Sequence, residues 1–169
     1  MKVLVTAASK HGATAEVAGE IGETLREALR GRADDIVVDV HPPEELDSVE
    51  DYDAVVLGSA VYAGHWMEQA REFARRHANA LSTRPTWLFS VGPVGDPPKP
   101  EEEPVDVAQI LEATKAREHR VFAGKLDRHA LGFAEKAIVL ALRAPEGDFR
   151  DWEEIRAWAR GVAAELASS

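Results

Sequence analysis

Short apolar runs alternate along this chain with longer segments in which apolar residues recur every three or four positions. Runs that stop at small residues or prolines predict strands, and the longer segments predict helices with one buried face. The predicted strands span 3–6, 36–40, 54–59, 86–91 and 121–126, and the predicted helices span 14–29, 66–81, 105–117 and 152–166. Thr14 is the expected N-cap of the first helix, and residues 44–49 have room for only a turn or two of helix.

This order of elements predicts the fold class. Strands that alternate with helices over the whole chain indicate βαβ units with right-handed crossovers, and therefore an α/β fold built on a doubly wound parallel sheet. In such sheets ligands bind beyond the carboxyl ends of the strands. We therefore expect the functional residues in the loops that follow Thr6, Ser59 and Ser90.

Composition narrows the possible chemistry. The 169 residues fit a single domain with a core of its own. The sequence has no cysteine, which excludes disulfides, thiolate metal sites and cysteine nucleophiles, so any redox activity needs a bound cofactor. The histidines have no shared spacing that indicates a metal site. A formal net charge of −10 argues against nucleic-acid binding and suits either a solvated acidic surface or docking onto a basic partner.

Two segments interrupt the alternation. Residues 95–104 are rich in proline and acidic residues, and we expect them to form a surface excursion. Residues 131–142 form an apolar stretch too short to span a membrane, which leaves a core helix, a dimer contact or a surface anchor. Because the sequence begins without a signal peptide and has no uncharged run of membrane-spanning length, we expect a cytoplasmic protein.

The loop after the first strand has the strongest chemical pattern. Main-chain N–H groups at a helix start bind anions, Gly12 permits a positive φ, and Ser9 and Thr14 can donate hydrogen bonds. The spacing fits neither a nucleoside-triphosphate loop nor a dinucleotide loop, so a phosphomonoester fits better, and an ordinary capped turn is the alternative. The candidate residues are Ser9, Lys10, His11, Gly12, Ala13 and Thr14.

The two later loops fall at the same predicted edge of the sheet. Tyr62 follows a buried strand within a run of small residues, where an aromatic ring either stacks on a flat ligand or covers the end of the sheet. Gly64 and the main-chain amides near it can bond the polar edge of such a ligand. Ser90 and Gly92 end the fourth strand in a similar turn, and three turns at one edge favour a single site.

These loops also resemble a known family. Residues 3–16, 56–66 and 89–93 resemble the flavin loops of flavodoxin-like proteins, and the likeness is closest to the menaquinone-dependent protoporphyrinogen oxidase branch, which residues 121–126 and 147–152 also resemble. The resemblance implies a three-layer sandwich whose five-stranded parallel sheet has the order 2-1-3-4-5. It implies FMN with its phosphate at 9–14, its isoalloxazine ring against Ala60, Val61, Tyr62, Ala63, Gly64 and His65, and its outer edge near Ser90, Val91 and Gly92.

The chain departs from this family at two places. Relatives often have a bulkier residue at Ala7, and flavodoxins favour hydroxyl residues at the positions of Lys10 and His11. We expect Lys10 to compensate by meeting the phosphate charge directly.

The resemblance implies an oxidoreductase whose flavin carries the electrons. A quinone or a tetrapyrrole is then the substrate, and residues 131–142 are the region by which the chain meets a membrane surface or a quinone. His65 is the candidate proton donor or substrate contact, because histidine titrates near neutral pH; the alternative is a solvent-exposed residue at a helix start. Two alternative functions stay open: a flavodoxin-type electron carrier that acts with a redox partner protein, and a flavin-free interaction module. A homo-oligomer also stays open as an alternative to a monomer.

Overall fold

A central, mainly parallel sheet organises the computed structural model, which describes residues 1–10, 12–32, 35–62, 64–92, 106–126, 147–148 and 150–168. The strands of this sheet are β1 (Lys2–Ala8), β2 (Val37–His41), β3 (Ala54–Tyr62), β4 (His65–Trp66), β5 (Thr86–Val91) and β6 (His119–Phe122). They lie in the order β2-β1-β3-β5-β6, which is 2-1-3-4-5 when the parallel strands alone are numbered, and the short β4 pairs antiparallel with β3. The predicted doubly wound α/β fold is confirmed.

The middle strands of the sheet are buried on both faces, as their apolar sequences predict. Along β1, Val3 and Val5 belong to one cluster of buried side chains, and Leu4 belongs to another cluster on the opposite face. In β3, Val56 and Val55 divide between the two clusters in the same way. The sheet therefore separates two apolar cores.

Helices cover both of these cores. The helices are α1 (Ala13–Leu29), α2 (Glu68–Arg76), α3 (Ala78–Ser82), α4 (Val107–Thr114) and α5 (Trp152–Ala167). On one face α1 packs against α5, and on the other α2, α3 and α4 cover the sheet. Trp158 of α5 is a core residue, and the partly buried Trp152 packs against the same cluster.

The prediction of one helix over residues 66–81 is wrong. β3 continues past Ser59 to Tyr62, and Trp66 lies in β4, which turns the chain back along β3. The helical part is divided at His77, whose φ of −110° and ψ of 15° lie outside the α-helical range. Apolar residues continue at helical spacing across this break, so periodicity alone does not reveal it.

The fifth predicted strand, 121–126, consists of two elements. β6 ends at Phe122, and the separate strand β7 (Lys125–Leu126) pairs antiparallel with β8 (Gly147–Asp148). We call this pair of short strands the neck. The chain therefore leaves the parallel sheet before it enters the neck.

Smaller differences concern the ends of helices. Gly12, not Thr14, is the N-cap of α1, and Thr14 is buried in the first turn. The helix predicted over 105–117 ends at Thr114, because Lys115 adopts a left-handed conformation with φ 53°. A 3₁₀ turn, Pro43–Glu45, is the helical element near 44–49. The excursion at 95–104 and the apolar stretch at 131–142 lie outside the described residues, and none of the described helices has the length and apolar character needed to cross a bilayer.

Candidate cofactor site at the sheet edge

The carboxyl ends of β1, β3 and β5 meet at one edge of the sheet. Ala8 at the end of β1 lies beside Ser59 of β3, and Ser59 lies beside Ser90 of β5. Ala60 pairs with Val91, the last residue of β5. The structure therefore brings the three predicted loops to a single edge, which we call the loop edge.

The loop after β1 is shaped by its own backbone. Gly12 has φ 88°, a left-handed conformation that glycine adopts without strain. Its N–H donates to Ser9 Oγ at 3.2 Å, and its carbonyl accepts from Glu16 N at 3.0 Å. Because the N-cap residue has no side chain, it offers no acceptor to the N–H groups of the first turn of α1. These donors and the helix dipole make this end of α1 suitable for an anion.

Lys10 and Tyr62 connect the first loop with the second. Lys10 Nζ lies 5.9 Å from the centroid of the Tyr62 ring. The Tyr62 side chain is 39% exposed, although most of β3 is fully buried. A Cβ atom at Gly12 would meet nothing within 4 Å in the described part of the chain, so there is open space beside the loop. A cation, an exposed ring and a helix start thus lie around one corner of the loop edge.

The end of β3 and β4 form a tight hairpin, which we call the hairpin corner (Val61–Tyr62 paired with His65–Trp66). Val61 pairs with Trp66 and Tyr62 pairs with His65. Gly64, in the turn between the strands, has φ 79°, which suits the left-handed geometry of two-residue hairpin loops. The pairing places His65 directly across from the exposed Tyr62.

Three polar side chains, two of them from distant parts of the chain, hold the hairpin corner and Met67, the residue that follows it. Asp106 Oδ2 accepts from the backbone N–H of Trp66 at 2.9 Å, and Ser90 Oγ accepts from Trp66 Nε1 at 2.7 Å. Ser59 Oγ accepts from the N–H of Met67 at 2.9 Å. Trp66 is 1% exposed, so the two bonds that it donates satisfy groups that water does not reach.

The third loop contributes mainly through these internal contacts. The hydroxyl of Ser90 is buried and also lies 2.7 Å from His119 Nε2, so this side chain supports the interior of the loop edge. Gly92 has φ 84°, and its N–H donates to the carbonyl of Phe122 at 2.9 Å. Contact of Ser90, Val91 and Gly92 with a ligand stays a prediction.

Asp106 is a residue that sequence reasoning missed. Besides holding Trp66, its carboxylate lies 3.2 Å from Nδ1 of His65 through Oδ1. The Asp106 side chain is 18% exposed and that of His65 is 50% exposed. From the sequence, an aspartate immediately before an apolar helix is expected to be an N-cap, and nothing local indicates a contact with a residue far earlier in the chain.

Arg150 is a second functional candidate that the sequence did not reveal. Its guanidinium donates to the Ala13 carbonyl at 3.2 Å, and its side chain is 4% exposed. It donates to Asp148 Oδ2 at 2.7 Å and lies 3.6 Å from Glu16, and the hydrogen bonds to Asp148 raise the pKa of Arg150 above its usual range. The guanidinium also stacks 4.6 Å from the ring of Trp152. A permanent cation therefore ties the neck to the start of α1.

For three of the predicted site residues the structure gives no contact of the side chain with the site. His11 and Ala63 lie outside the described residues, and Ala13 is the first residue of α1. In the described ranges, histidine, aspartate and glutamate side chains form no group of three or more that could hold a metal ion.

Comparison with known proteins identifies the family. The sequence profile of the flavodoxin domain matches residues 4–152. The chain belongs to the flavodoxin domain family. A relative, protoporphyrinogen IX dehydrogenase (quinone) from Escherichia coli strain K12, is 29% identical over 176 residues, which cover 96% of this chain and 95% of the relative.

Solved flavodoxin structures have the same fold as this flavodoxin domain. A flavodoxin from the domain Archaea superposes with a TM-score of 0.64 at 15% identity and covers 100% of both chains. A Streptococcus pneumoniae TIGR4 flavodoxin gives a TM-score of 0.64 at 18% identity and covers 99% of both chains.

FMN is the cofactor that membership of the flavodoxin domain family indicates, and the described residues fit it. The helix start behind Gly12 offers N–H donors to a phosphate, and none of the described residues fills the space that a Gly12 Cβ would occupy. Tyr62 presents an exposed ring to a flat ligand at the same corner, beside Lys10.

Proposed function

We propose that this chain is an FMN-dependent oxidoreductase that oxidises a tetrapyrrole of the protoporphyrinogen type and passes the electrons to a quinone. The observation that supports this function is the match to the Escherichia coli protoporphyrinogen IX dehydrogenase (quinone), which extends over 96% of this chain and 95% of the relative. A match of that extent includes the segment between the strands of the neck as well as the sheet and helices. A redox role with a bound flavin is common to this proposal and its alternative.

In this proposal the first loop holds the FMN phosphate. Ser9, Lys10, Gly12 and the first N–H groups of α1 supply the hydrogen bonds and the positive charge. Tyr62 packs against the isoalloxazine ring, and the hairpin corner behind it keeps Tyr62 and His65 at the loop edge. When bound, FMN supplies reversible two-electron chemistry, and the protein sets its geometry, access and potential.

The apolar stretch at 131–142 is the proposed contact with the quinone or the membrane surface. This stretch lies outside the described residues, but the neck on either side of it is described. Arg150 connects the neck to Ala13 at the start of α1. The described strands of the neck are therefore tied to the helix start that we propose holds the phosphate.

Partitioning tests this part of the proposal. We expect the protein to bind vesicles that contain a quinone, and we expect Leu140→Ser with Leu142→Ser to reduce that binding while the thermal unfolding midpoint stays the same. If the pair of substitutions instead unfolds the protein, residues 131–142 are part of the core.

A flavodoxin-type electron carrier is the second candidate. It is favoured by the net charge of −10, since an acidic surface suits docking onto a basic redox partner, and by the flavodoxin structures that superpose over almost the whole chain. A carrier exchanges electrons with a reductase and has no small-molecule turnover of its own.

One set of measurements separates these functions. We expect the purified protein to show the visible absorption band of flavin, or to acquire it on titration with FMN. We then expect FMN-loaded protein to oxidise protoporphyrinogen IX anaerobically in the presence of a soluble quinone. If the protein binds flavin and exchanges electrons but does not oxidise protoporphyrinogen IX, the electron carrier is the function that remains. If the protein stays colourless at saturating FMN, it is a flavin-free interaction module.

A further inference from the structure

The clearest unassigned contact at the loop edge is the one between Asp106 and His65. We propose that Asp106 is a positioning residue that fixes the tautomer of His65, so that Nε2 is the proton acceptor for a substrate at the loop edge. This inference rests on the proposed function for the identity of the substrate. The hydrogen-bond geometry on which it depends is independent of the cofactor.

The two oxygens of Asp106 have different partners. Oδ2 accepts from the backbone N–H of Trp66 at 2.9 Å, and this N–H can only donate. Oδ1 lies 3.2 Å from His65 Nδ1. A carboxylate only accepts hydrogen bonds, so the neutral imidazole must carry its proton on Nδ1. The lone pair is then on Nε2.

The position of the pair agrees with this role. The Asp106 side chain is 18% exposed and is held by the buried Trp66, so its orientation is fixed from the protein side. His65 is 50% exposed and lies across from Tyr62, on the side open to solvent. The imidazole is thus anchored through one nitrogen and free to meet a ligand through the rest of its ring.

The start of α4 supplies a second, independent observation. Asp106 is the N-cap residue of α4, yet its side chain makes no capping hydrogen bond in the part of the chain that the structure describes. A capping aspartate typically stabilises a helix by about 1 kcal/mol. Here the carboxylate is directed to the hairpin corner instead, 40 and 41 residues earlier in the chain.

The proton and electron balance defines the role of Nε2. Oxidation of a two-electron donor with two removable hydrogens releases two electrons and two protons. A bound flavin would supply the acceptor for both electrons and one proton, and His65 Nε2 takes the other proton. The resulting imidazolium is paired with the Asp106 carboxylate, which stabilises it, and it gives its proton to solvent or to the reduced quinone afterwards.

Substitution of Asp106 by asparagine gives a sharp test. Because Trp66 N–H still needs an acceptor, the amide oxygen of Asp106→Asn must face Trp66, and its NH₂ group then faces His65 Nδ1 as a donor. We expect the imidazole to change to the Nε2-protonated tautomer. Long-range ¹H–¹⁵N NMR spectra of the histidines, recorded on FMN-free protein in alkaline buffer, report this tautomer directly, with His65→Gln used to assign the signals.

Turnover and a matched control complete the test. In FMN-loaded protein we expect Asp106→Asn and His65→Gln each to lower kcat at least tenfold, and the double variant to be no slower than His65→Gln alone, because both act through one group. Glu112→Gln, which neutralises an exposed acid on α4, should leave the tautomer and kcat unchanged.

The possible failures are distinguishable. An Nε2-protonated His65 in the wild-type protein, or an unchanged tautomer in Asp106→Asn, overturns the positioning role whatever the cofactor. If Asp106→Asn does not fold, the His65 tautomer of the wild-type protein decides whether the positioning role stands. Absence of FMN binding or of tetrapyrrole turnover overturns the proposed function, while the NMR result still decides the geometry.

Discussion

The loop after β1 and the hairpin corner lie at the same edge of the sheet, but they are held in opposite ways. The loop is closed by its own residues, with Gly12 bonded to Ser9 and Glu16. The hairpin corner depends on Asp106 and Ser90, which come from other parts of the chain. We therefore expect changes in the loop to affect mainly cofactor binding, and changes beneath the hairpin corner to affect mainly stability.

The largest effect is expected from Gly58→Ala in β3, the strand that leads into the hairpin corner; its Cβ would enter the core on the opposite face of the sheet from Trp66. A Cβ atom at Gly58 would lie 2.3 Å from the ring of Phe89, which packs with Phe122 and Trp158 in the core. We expect the free energy of unfolding to fall by about 3 kcal/mol because the core is overpacked. Chemical denaturation measures this loss.

A glycine on the helix behind the first loop supplies the control for that variant. At Gly19 in α1 a Cβ atom would meet nothing within 4 Å among the described residues. Gly19→Ala should stabilise the protein by up to about 1 kcal/mol, because alanine has the higher helix propensity. Equal destabilisation by both variants would contradict the packing argument.

Ser90→Ala is expected to have the next largest effect. It removes the acceptor of the buried Trp66 Nε1 and the partner of His119. An unsatisfied buried donor costs about 1–3 kcal/mol, so we expect a loss of about 2 kcal/mol in unfolding free energy. Trp66→Phe in the Ser90→Ala background should cost less than Trp66→Phe alone, and a double-mutant cycle measures this coupling.

Gly12→Ala should separate the two regions most clearly. An alanine Cβ at this position would meet none of the described residues, but alanine is strained at φ 88°, by roughly 1–2 kcal/mol. We expect the loop to relax away from this conformation, with weaker FMN binding and a smaller loss of stability. Gly12→Asn, which tolerates the left-handed region better, should bind FMN more tightly than Gly12→Ala in a fluorescence titration.

The smallest expected effect is that of Ser9→Ala combined with Thr14→Ala. If both hydroxyls serve the phosphate, FMN binding should weaken by at least about 1 kcal/mol, or about fivefold in Kd. The unfolding midpoint of FMN-free protein should change little. An unchanged Kd would remove Ser9 and Thr14 from the proposed site, and Lys10, the first N–H groups of α1 and the hairpin corner would then have to supply the affinity.

The sequence predicts the parts of the fold that depend on local pattern. Val3–Val5 and the buried stripe Val17, Ile21 and Leu25 have the periods of a strand and a helix, and both are found in the structure. The order of strands and helices then limits the topology to a doubly wound sheet. The convergence of three loops at one edge follows from that topology.

The sequence could not predict features that depend on distant partners. Trp66 continues a helical apolar pattern, and its strand conformation is fixed by pairing with Val61 and by the Asp106 carboxylate. Asp106 has the local sequence of an N-cap, and its actual contacts depend on how two loops meet in space. Arg150 likewise contacts Ala13 only because α5 returns to pack on α1. Contacts of this kind have no periodicity to detect.

The neck offers a place at which the chain can be shortened by design. Leu126 and Gly147 are paired neighbours, so a two-residue type I′ turn could join them directly. All the described strands of the parallel sheet come before that junction in the chain. Under the proposed function, a protein shortened in this way should still bind FMN but lose tetrapyrrole oxidation, and would then act as an electron carrier.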